Sequence, residues 1–534
     1  MKKIVLIVFA CVLMCLACAC SSQRNSILQG TVTQIVQTKQ GAVRGVVNDA
    51  QSVELFAGIP YAQPPVGDLR WKEPQSLKAW TGVFEANAFA PKAMQSKQKW
   101  YERFIYRNII YHDGDGDRSD YLEMSEDCLY LNVWRPSSCS AGDKLPVVVY
   151  IHGGSLMGGS SASEAYDGTA FAKKGVIAVT VAYRVGVFGF FADQALAEES
   201  PNGTTGNYGL LDQIAALRWV HENIAAFGGN PDNVTIAGES AGASSVCALC
   251  VSPLAKGLFR RVIAESSSLV SRVPPHTFRS MEDALEMGNN IKKEFKVSSV
   301  EQLRNIPAQK LIKTKYSNNS LTVDGYALTE SPYDTYLRGA NNEEAVLNGF
   351  NANEAYFFNF FDGMANLKNY RGKIEDYFGP YTEDVIALFP AQTNDQAKAY
   401  WNQICSAVLF AYGHHQWSSI VSAQRKNAWL YYFTMENNGI GTNHSGELIY
   451  AYGNVPKTKW YTAEDHKLEE TMVSYWTNFI KTGNPNGQNL PEWQTFTAGS
   501  SLVLELGPEV HMSEDPFIQF YPVIKKTMDY KYTH

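Results

Sequence analysis

The stretch Val234-Thr235-Ile236-Ala237-Gly238-Glu239-Ser240-Ala241-Gly242 constrains this chain more than any other. β-prone residues run directly into Gly-x-Ser-x-Gly, and an apolar, helix-like run follows over residues 243–251. The pattern predicts a strand, a sharp turn and a helix, with the turn lifting the Ser240 hydroxyl above the carboxyl edge of a parallel sheet. Glycines two residues to either side let strand and helix approach without Cβ clashes, while the serine itself takes strained backbone. The free N–H groups and dipole of the following helix then face whatever reacts with Ser240. In a chain with 41 glycines the pentapeptide alone also fits an ordinary strand-to-helix turn, so its flanks and three further segments carry the distinction.

The surrounding sequence reads as the sheet that such a turn needs. Residues 42–47 and 53–56 are short strands, residues 61–71 a Pro/Gly-rich loop, and residues 92–121 an irregular stretch rich in Lys and Tyr. Residues 126–134 alternate as a strand, whereas residues 146–151 form a β-branched run suited to burial on both faces. Further strands are expected at 176–183 and 261–264, with a helix over 208–227 closed by Gly228-Gly229. Strands alternating with helices imply right-handed crossovers and a mostly parallel sheet. Residues 277–428 read as mostly helical, broken by a strand at 345–351, and residues 429–435 give the last strand signal. With no linker and no repeat in 534 residues, the expectation is one elaborated α/β domain over 38–525.

Three segments meet Ser240 at the carboxyl edge. His152-Gly153-Gly154-Ser155-Leu156-Met157 follows the buried strand. Its side-chain-poor backbone suits an oxyanion hole in which the N–H groups of Gly153 and Gly154 converge with that of Ala241. Glu354 stands just beyond the 345–351 strand, and His444 lies in a glycine-rich loop beyond the last one. A lone Glu after a strand is usually solvated and a lone loop His usually uninvolved. Their joint placement in the order Ser, acid, His matches the α/β-hydrolase arrangement. Glu239 is read as a structural carboxylate that points away on the turn. Leu156 and Met157, with the aromatic run 356–361 that includes Phe357 and Phe358, suit an apolar pocket wall; helix packing in the core is the equal alternative for that run.

These residues resemble the type-B carboxylesterase family, which includes cholinesterases and bacterial para-nitrobenzyl esterases. The resemblance spans residues 38–522. Residues 126–133, His152-Gly153-Gly154, residues 207–242, Asn353-Glu354, His444 and residues 475–486 carry it. It implies an α/β-hydrolase fold with helical insertions around the active-site edge. It also implies Ser240 as nucleophile, His444 as base, Glu354 as acid, and Gly153, Gly154 and Ala241 as oxyanion donors. Such a site needs neither metal nor cofactor, because imidazole activates serine near neutral pH. The implied substrates are small carboxylic esters, short-chain or aryl. A carbohydrate-linked acetyl or feruloyl ester is the alternative, amides or lactams suit the same triad, and some relatives are non-catalytic adhesion proteins that lack the serine. Two positions depart from the family. Ala93 stands where relatives often carry the partner of Cys128, so that bridge is expected to be absent, and Ser266 stands where glycine is common.

The remaining features bound location and partners. Lys2 and Lys3 precede an apolar run over 4–16, too short to span a bilayer, followed by Ala17-Cys18-Ala19-Cys20-Ser21-Ser22. This predicts a signal peptide over 1–19, a tether over 20–37 and lipid attachment at Cys20, which would place an exported chain on a bacterial cell envelope. Ala17-x-Ala19 also suits ordinary cleavage and secretion. A net charge of −7 argues against nucleic acid as a partner. Cys128, Cys139, Cys247, Cys250 and Cys405 are too few and too odd in number for a disulfide framework, and Cys247-x-x-Cys250 reads as buried apolar thiols. Asp113-Gly114-Asp115-Gly116-Asp117 lacks the sixth-position Gly and twelfth-position Glu of a calcium loop and reads as a solvated acidic turn.

Overall fold

Continuous β-branched runs bounded by helices can be stable only with both faces covered, and the chain builds its sheet accordingly. The computed structural model describes residues 28–533 except 29, 49, 98, 106, 109–110, 112–115, 274–277, 317–318 and 437–441. The leader, Cys20 and most of the Asp113 turn therefore lie outside the described residues.

The strands of the main sheet are β1 (Thr31–Val32), β2 (Val46–Val47), β3 (Val53–Pro60), β4 (Tyr130–Pro136), β5 (Leu145–Ile151) and β6 (Ile177–Val181). They continue with β7 (Gly229–Glu239), β8 (Arg261–Glu265), β9 (Ala345–Asn351), β10 (Asn427–Phe433), β11 (Leu502–Leu506) and β12 (Val510–Glu514). Their spatial order is β1-β2-β3-β4-β6-β5-β7-β8-β9-β10-β11-β12. Pairing is parallel from β6 through β11 and antiparallel outside that run. β1 pairs with β2, so the sheet takes in residues that the sequence reading assigned to the tether.

Strand periodicity sends alternate side chains to two cores. Val147, Val149 and Ile151 join one, while Val148 and Tyr150 join the other. The first core is covered by α1 (Tyr208–Asn223) and α2 (Ala241–Val251), through Leu210, Ile214 and Val246 among others. After α3 (Tyr356–Asp362) come α4 (Asn394–Ser406), a π-helical turn at Ala407–Ala411 and α5 (Tyr412–Ala423), which adds Trp417 to that core. The second core is covered by α6 (Ala463–Thr482), through Met472, Trp476 and Phe479. Thr462 and Asp465 close a capping box at the start of α6, and Gly483, at φ 81°, ends it.

Two strand readings change. The strand expected over 126–134 begins at Tyr130, and Leu131 to Arg135 are buried without alternation. Leu131 and Val133 of β4 join the first core and Trp134 the second, so both its faces are covered. Its buried Arg135 is neutralised by Glu54 at 2.6 Å. β7 starts five residues earlier than the Val234 run indicates, with an irregularity in its pairing opposite Leu145 and Val147.

The topology also says where a site must form. From β5 the chain crosses to β6 on one side, whereas β7, β8 and β9 progress on the other. The reversal opens a crevice at the carboxyl ends of β5 and β7, the place where open α/β sheets hold ligands.

Candidate active site

The turn between β7 and α2 is as tight as its glycines predict. Ser240 holds φ 55° and ψ −127°, strained backbone for a residue with a side chain. A Cβ on Gly242 would lie 2.1 Å from the Ile151 carbonyl, and one on Gly238 would lie 2.6 Å from the Gly242 backbone. The strained residue is pinned by its N–H, which donates to the Glu265 carbonyl at 2.8 Å, and by its carbonyl, which accepts from Ser244 N–H at 3.0 Å.

The loop after β5 closes on the same point. A Cβ on Gly153 would come within 2.6 Å of the Glu239 carbonyl and 3.1 Å of Ser240 Cβ, so only glycine lets this backbone pass the serine. Gly154, Ser155 and Leu156 follow with φ of 105°, 56° and 57°. They fold the loop so that Met157 and Gly158 N–H donate to the Gly154 carbonyl at 2.9 and 3.1 Å. Among the described residues none accepts from the N–H groups of Gly153, Gly154 or Ala241. Gln95 grips the far end of the loop, donating to and accepting from the Gly159 backbone at 2.9 and 3.0 Å.

Glu354 and His444 meet because their strands do. β9 and β10 pair through Asn351 and Phe433, and the contact continues beyond them as Asn353 N–H donates to the Thr442 carbonyl at 3.0 Å. That juxtaposition sets His444 Nδ1 2.6 Å from Glu354 Oε2. The other Glu354 oxygen accepts from Asn351 N–H at 2.8 Å, which locks a fully buried carboxylate. Nε2 of the imidazole lies 3.2 Å from Glu239 Oε1, and that same oxygen accepts from Ser445 Oγ at 2.6 Å.

Glu239 thus differs from its sequence reading. It turns towards the imidazole rather than away: as the last residue of β7 it shares the face of Ala237 and the second core, where it meets the His444 loop. Burial alone would depress the imidazole, but the carboxylates of Glu239 and Glu354, with the Glu354 hydrogen bond, outweigh it and hold His444 up at about 9. Burial raises Glu239 itself against the opposing pull of His444. Beyond it, burial first and then the charges of Glu239 and Glu354 push Glu447 up to about 8. Glu447 accepts from Ser266 Oγ at 3.1 Å, which gives the departure at Ser266 a defined partner.

The apolar expectations divide. Leu156 is fully buried in the main core; its positive φ turns the side chain inward, so it forms no open pocket wall. Met157 is partly exposed. The aromatic run is not core: Phe358 is exposed and meets the His444 ring edge-on at 5.4 Å, while Phe360 and Phe361 are exposed beyond it. Phe357 is partly exposed and packs on Tyr356 instead. Sequence reasoning missed Phe410, which lies 5.0 Å from the imidazole ring. It sits in the π-helical turn, whose extra residue per turn leaves no mark in hydrophobic periodicity. Among the described residues the five cysteines are free thiols, with Cys128, Cys247 and Cys250 buried and all raised by burial.

Comparison with known proteins places this geometry. A model of the carboxylesterase family matches residues 32–521. The chain is 34% identical to fumonisin B1 esterase of Sphingopyxis macrogoltabida, covering 89% of this chain and 87% of that one. It is 32% identical to para-nitrobenzyl esterase of Bacillus subtilis, covering 90% and 96%. The crystal structure of Geobacillus stearothermophilus carboxylesterase EST55 superposes with a TM-score of 0.76 at 33% identity, covering 92% of this chain and 99% of that one. With an α/β-hydrolase sheet and this match along nearly its whole length, the chain belongs to the carboxylesterase family and is a carboxylic ester hydrolase.

Proposed function

We propose that the chain hydrolyses its ester through an acyl-enzyme on Ser240, with His444 as general base and Glu354 as the carboxylate that orients it. The 2.6 Å contact between His444 Nδ1 and the buried Glu354 carries this reading. It keeps a proton on Nδ1 and leaves Nε2, 3.2 Å from the carboxylate of Glu239 next to Ser240 in the chain, as the nitrogen that acts as base. Neutral Nε2 takes the hydroxyl proton as Ser240 Oγ attacks the ester carbonyl. The negative charge that develops on the carbonyl oxygen is met by the N–H groups of Gly153, Gly154 and Ala241, which have no acceptor in the described protein. The imidazolium returns its proton to the leaving alcohol, and water activated by the same Nε2 then releases the acid. Glu239 adds a second carboxylate beside the imidazolium as it forms.

Phe358 and Phe410 against the imidazole and Met157 on the glycine loop favour an apolar or aryl group near the reacting carbon. We assign Cys20 as the lipid attachment site of an exported chain, on the strength of the leader sequence alone. The test of the reaction is Ser240→Ala: turnover on p-nitrophenyl acetate should fall by ~10⁴–10⁶-fold with an unchanged circular dichroism spectrum. A fluorophosphonate should label Ser240 in the parent. Retention of more than a few per cent of the parent rate, or labelling at another residue, rejects the assignment.

A further inference from the structure

The glycine loop beside Ser240 is strained along most of its length. Ser155 and Leu156 stand at φ 56° and 57°, between Gly154 at 105° and Gly159 at 112°. Such backbone persists only where its surroundings over-determine it. One support is Gly186, whose N–H donates to the Leu156 carbonyl at 2.6 Å. Another comes from 64 residues earlier in the chain, the side chain of Gln95.

Gln95 commits its amide to backbone. Oε1 accepts from Gly159 N–H at 3.0 Å, while Nε2 donates to the Gly159 carbonyl at 2.9 Å and to the Ala93 carbonyl at 3.0 Å. Two donors and an acceptor are thus engaged, which fixes which way round the amide lies. Ala93 is anchored in turn, paired in parallel with Ser125. Gly158 passes so close that a Cβ on it would lie 2.7 Å from Gln95 Oε1. The amide therefore holds Gly159 by both backbone groups, as a neighbouring strand would.

Gly159 backs directly onto the Gly153–Gly154 peptide. A Cβ on Gly159 would lie 2.5 Å from the Gly153 carbonyl oxygen and 2.2 Å from His152 Nδ1. His152 Nδ1 donates to that same carbonyl at 2.9 Å. The Gly153 carbonyl and the Gly154 N–H belong to one planar trans peptide and point to opposite sides of it. Pinning the oxygen against His152 and Gly159 therefore fixes the direction of the N–H. We propose that Gln95 is a positioning residue for the oxyanion hole, acting through Gly159 on the Gly153–Gly154 peptide. This rests on Ser240 as the reacting residue and on Gly154 as an oxyanion donor. The amide carries no net charge, so its effect falls on the developing oxyanion and leaves the titration of His444 unmoved.

The test compares Gln95→Met with Gln95→Glu. The first keeps the length of the side chain and loses all three hydrogen bonds; the second keeps an acceptor but sets a carboxylate against two carbonyl oxygens. Rates on p-nitrophenyl acetate are referred to active sites titrated with a fluorophosphonate, so unfolded molecules do not count. In Gln95→Met, kcat/KM should fall by about tenfold or more, chiefly through kcat. The affinity of an aryl trifluoromethyl ketone, whose hemiketal oxygen takes the place of the oxyanion, should fall by the same factor. The pH midpoint of kcat/KM should stay at that of the parent, because the base is untouched. Gln95→Glu should be slower still. Unchanged turnover, a loss confined to KM, ketone affinity at the parent value, a shifted midpoint in Gln95→Met, or parent-like turnover in Gln95→Glu overturns the proposal. A ketone that binds Ser240→Ala as tightly as the parent would instead mean that the Ser240 chemistry has failed.

Discussion

His444 is clamped between two carboxylates, one on each ring nitrogen, and that governs when it can act as a base. The imidazole must be neutral to accept a proton, and the neutral form predominates only above its pKa. Because Glu239 and Glu354 hold that pKa above the ordinary 6.5, at about 9, kcat/KM should rise with pH through a midpoint on the alkaline side of 6.5. Glu239→Gln removes one raising charge and should move the midpoint to lower pH. Glu354→Gln should instead cost roughly 10⁴-fold in turnover, because Nδ1 loses the partner that sets its tautomer. A pH–rate series on the two variants checks both. A Glu239→Gln midpoint at or above that of the parent, or near-normal turnover in Glu354→Gln, would show that the roles are assigned to the wrong carboxylates.

At the scale of elements, two joints hold the site. The glycine loop passes so close to the turn that Gly153→Ala should displace it, lowering kcat by ~10²–10³-fold as an oxyanion donor moves off line. Steady-state kinetics beside an unchanged thermal midpoint would establish this. The second joint fastens α1 to the end of β6: Arg184 donates to Asp212 at 2.7 and 2.8 Å, and both are buried. Arg184→Leu strands a buried carboxylate and should cost about 3–5 kcal/mol in chemical denaturation. How much of this was legible follows from where each signal lies. Ser240, the glycine loop, Glu354 and His444 each follow a strand whose own composition announces it, so their shared edge can be read from the chain. The direction of Leu156 cannot, because it depends on a positive φ, and the approach of Glu239 to the imidazole cannot, because it depends on a loop remote in sequence. Phe410 depends on a π-helical turn, and the continuous burial of β4 depends on neighbours remote in sequence.

For the whole molecule, the leader and the sheet answer different questions. If Cys20 carries lipid, the mature protein should partition into detergent, and Cys20→Ser should release it with unchanged turnover. Stable anchoring needs more than one acyl chain, so mass spectrometry of the mature N-terminus should find a multiply acylated cysteine. An unmodified cysteine, or a start several residues beyond position 20, would mean ordinary secretion.

The order of strands in the sheet carries a last consequence. Gly153 and His444 sit at one edge of that sheet, yet more than half of the 534 residues separates them along the chain. On the proposed mechanism, a nascent polypeptide therefore possesses its serine long before the histidine that would arm it, and the histidine is not seated until β9 and β10 have paired. Order of synthesis acts as a timer. If His444 is the base, a chain still leaving the ribosome should be chemically inert, and the esters of the cell that makes it spared until nearly the whole sheet is in place.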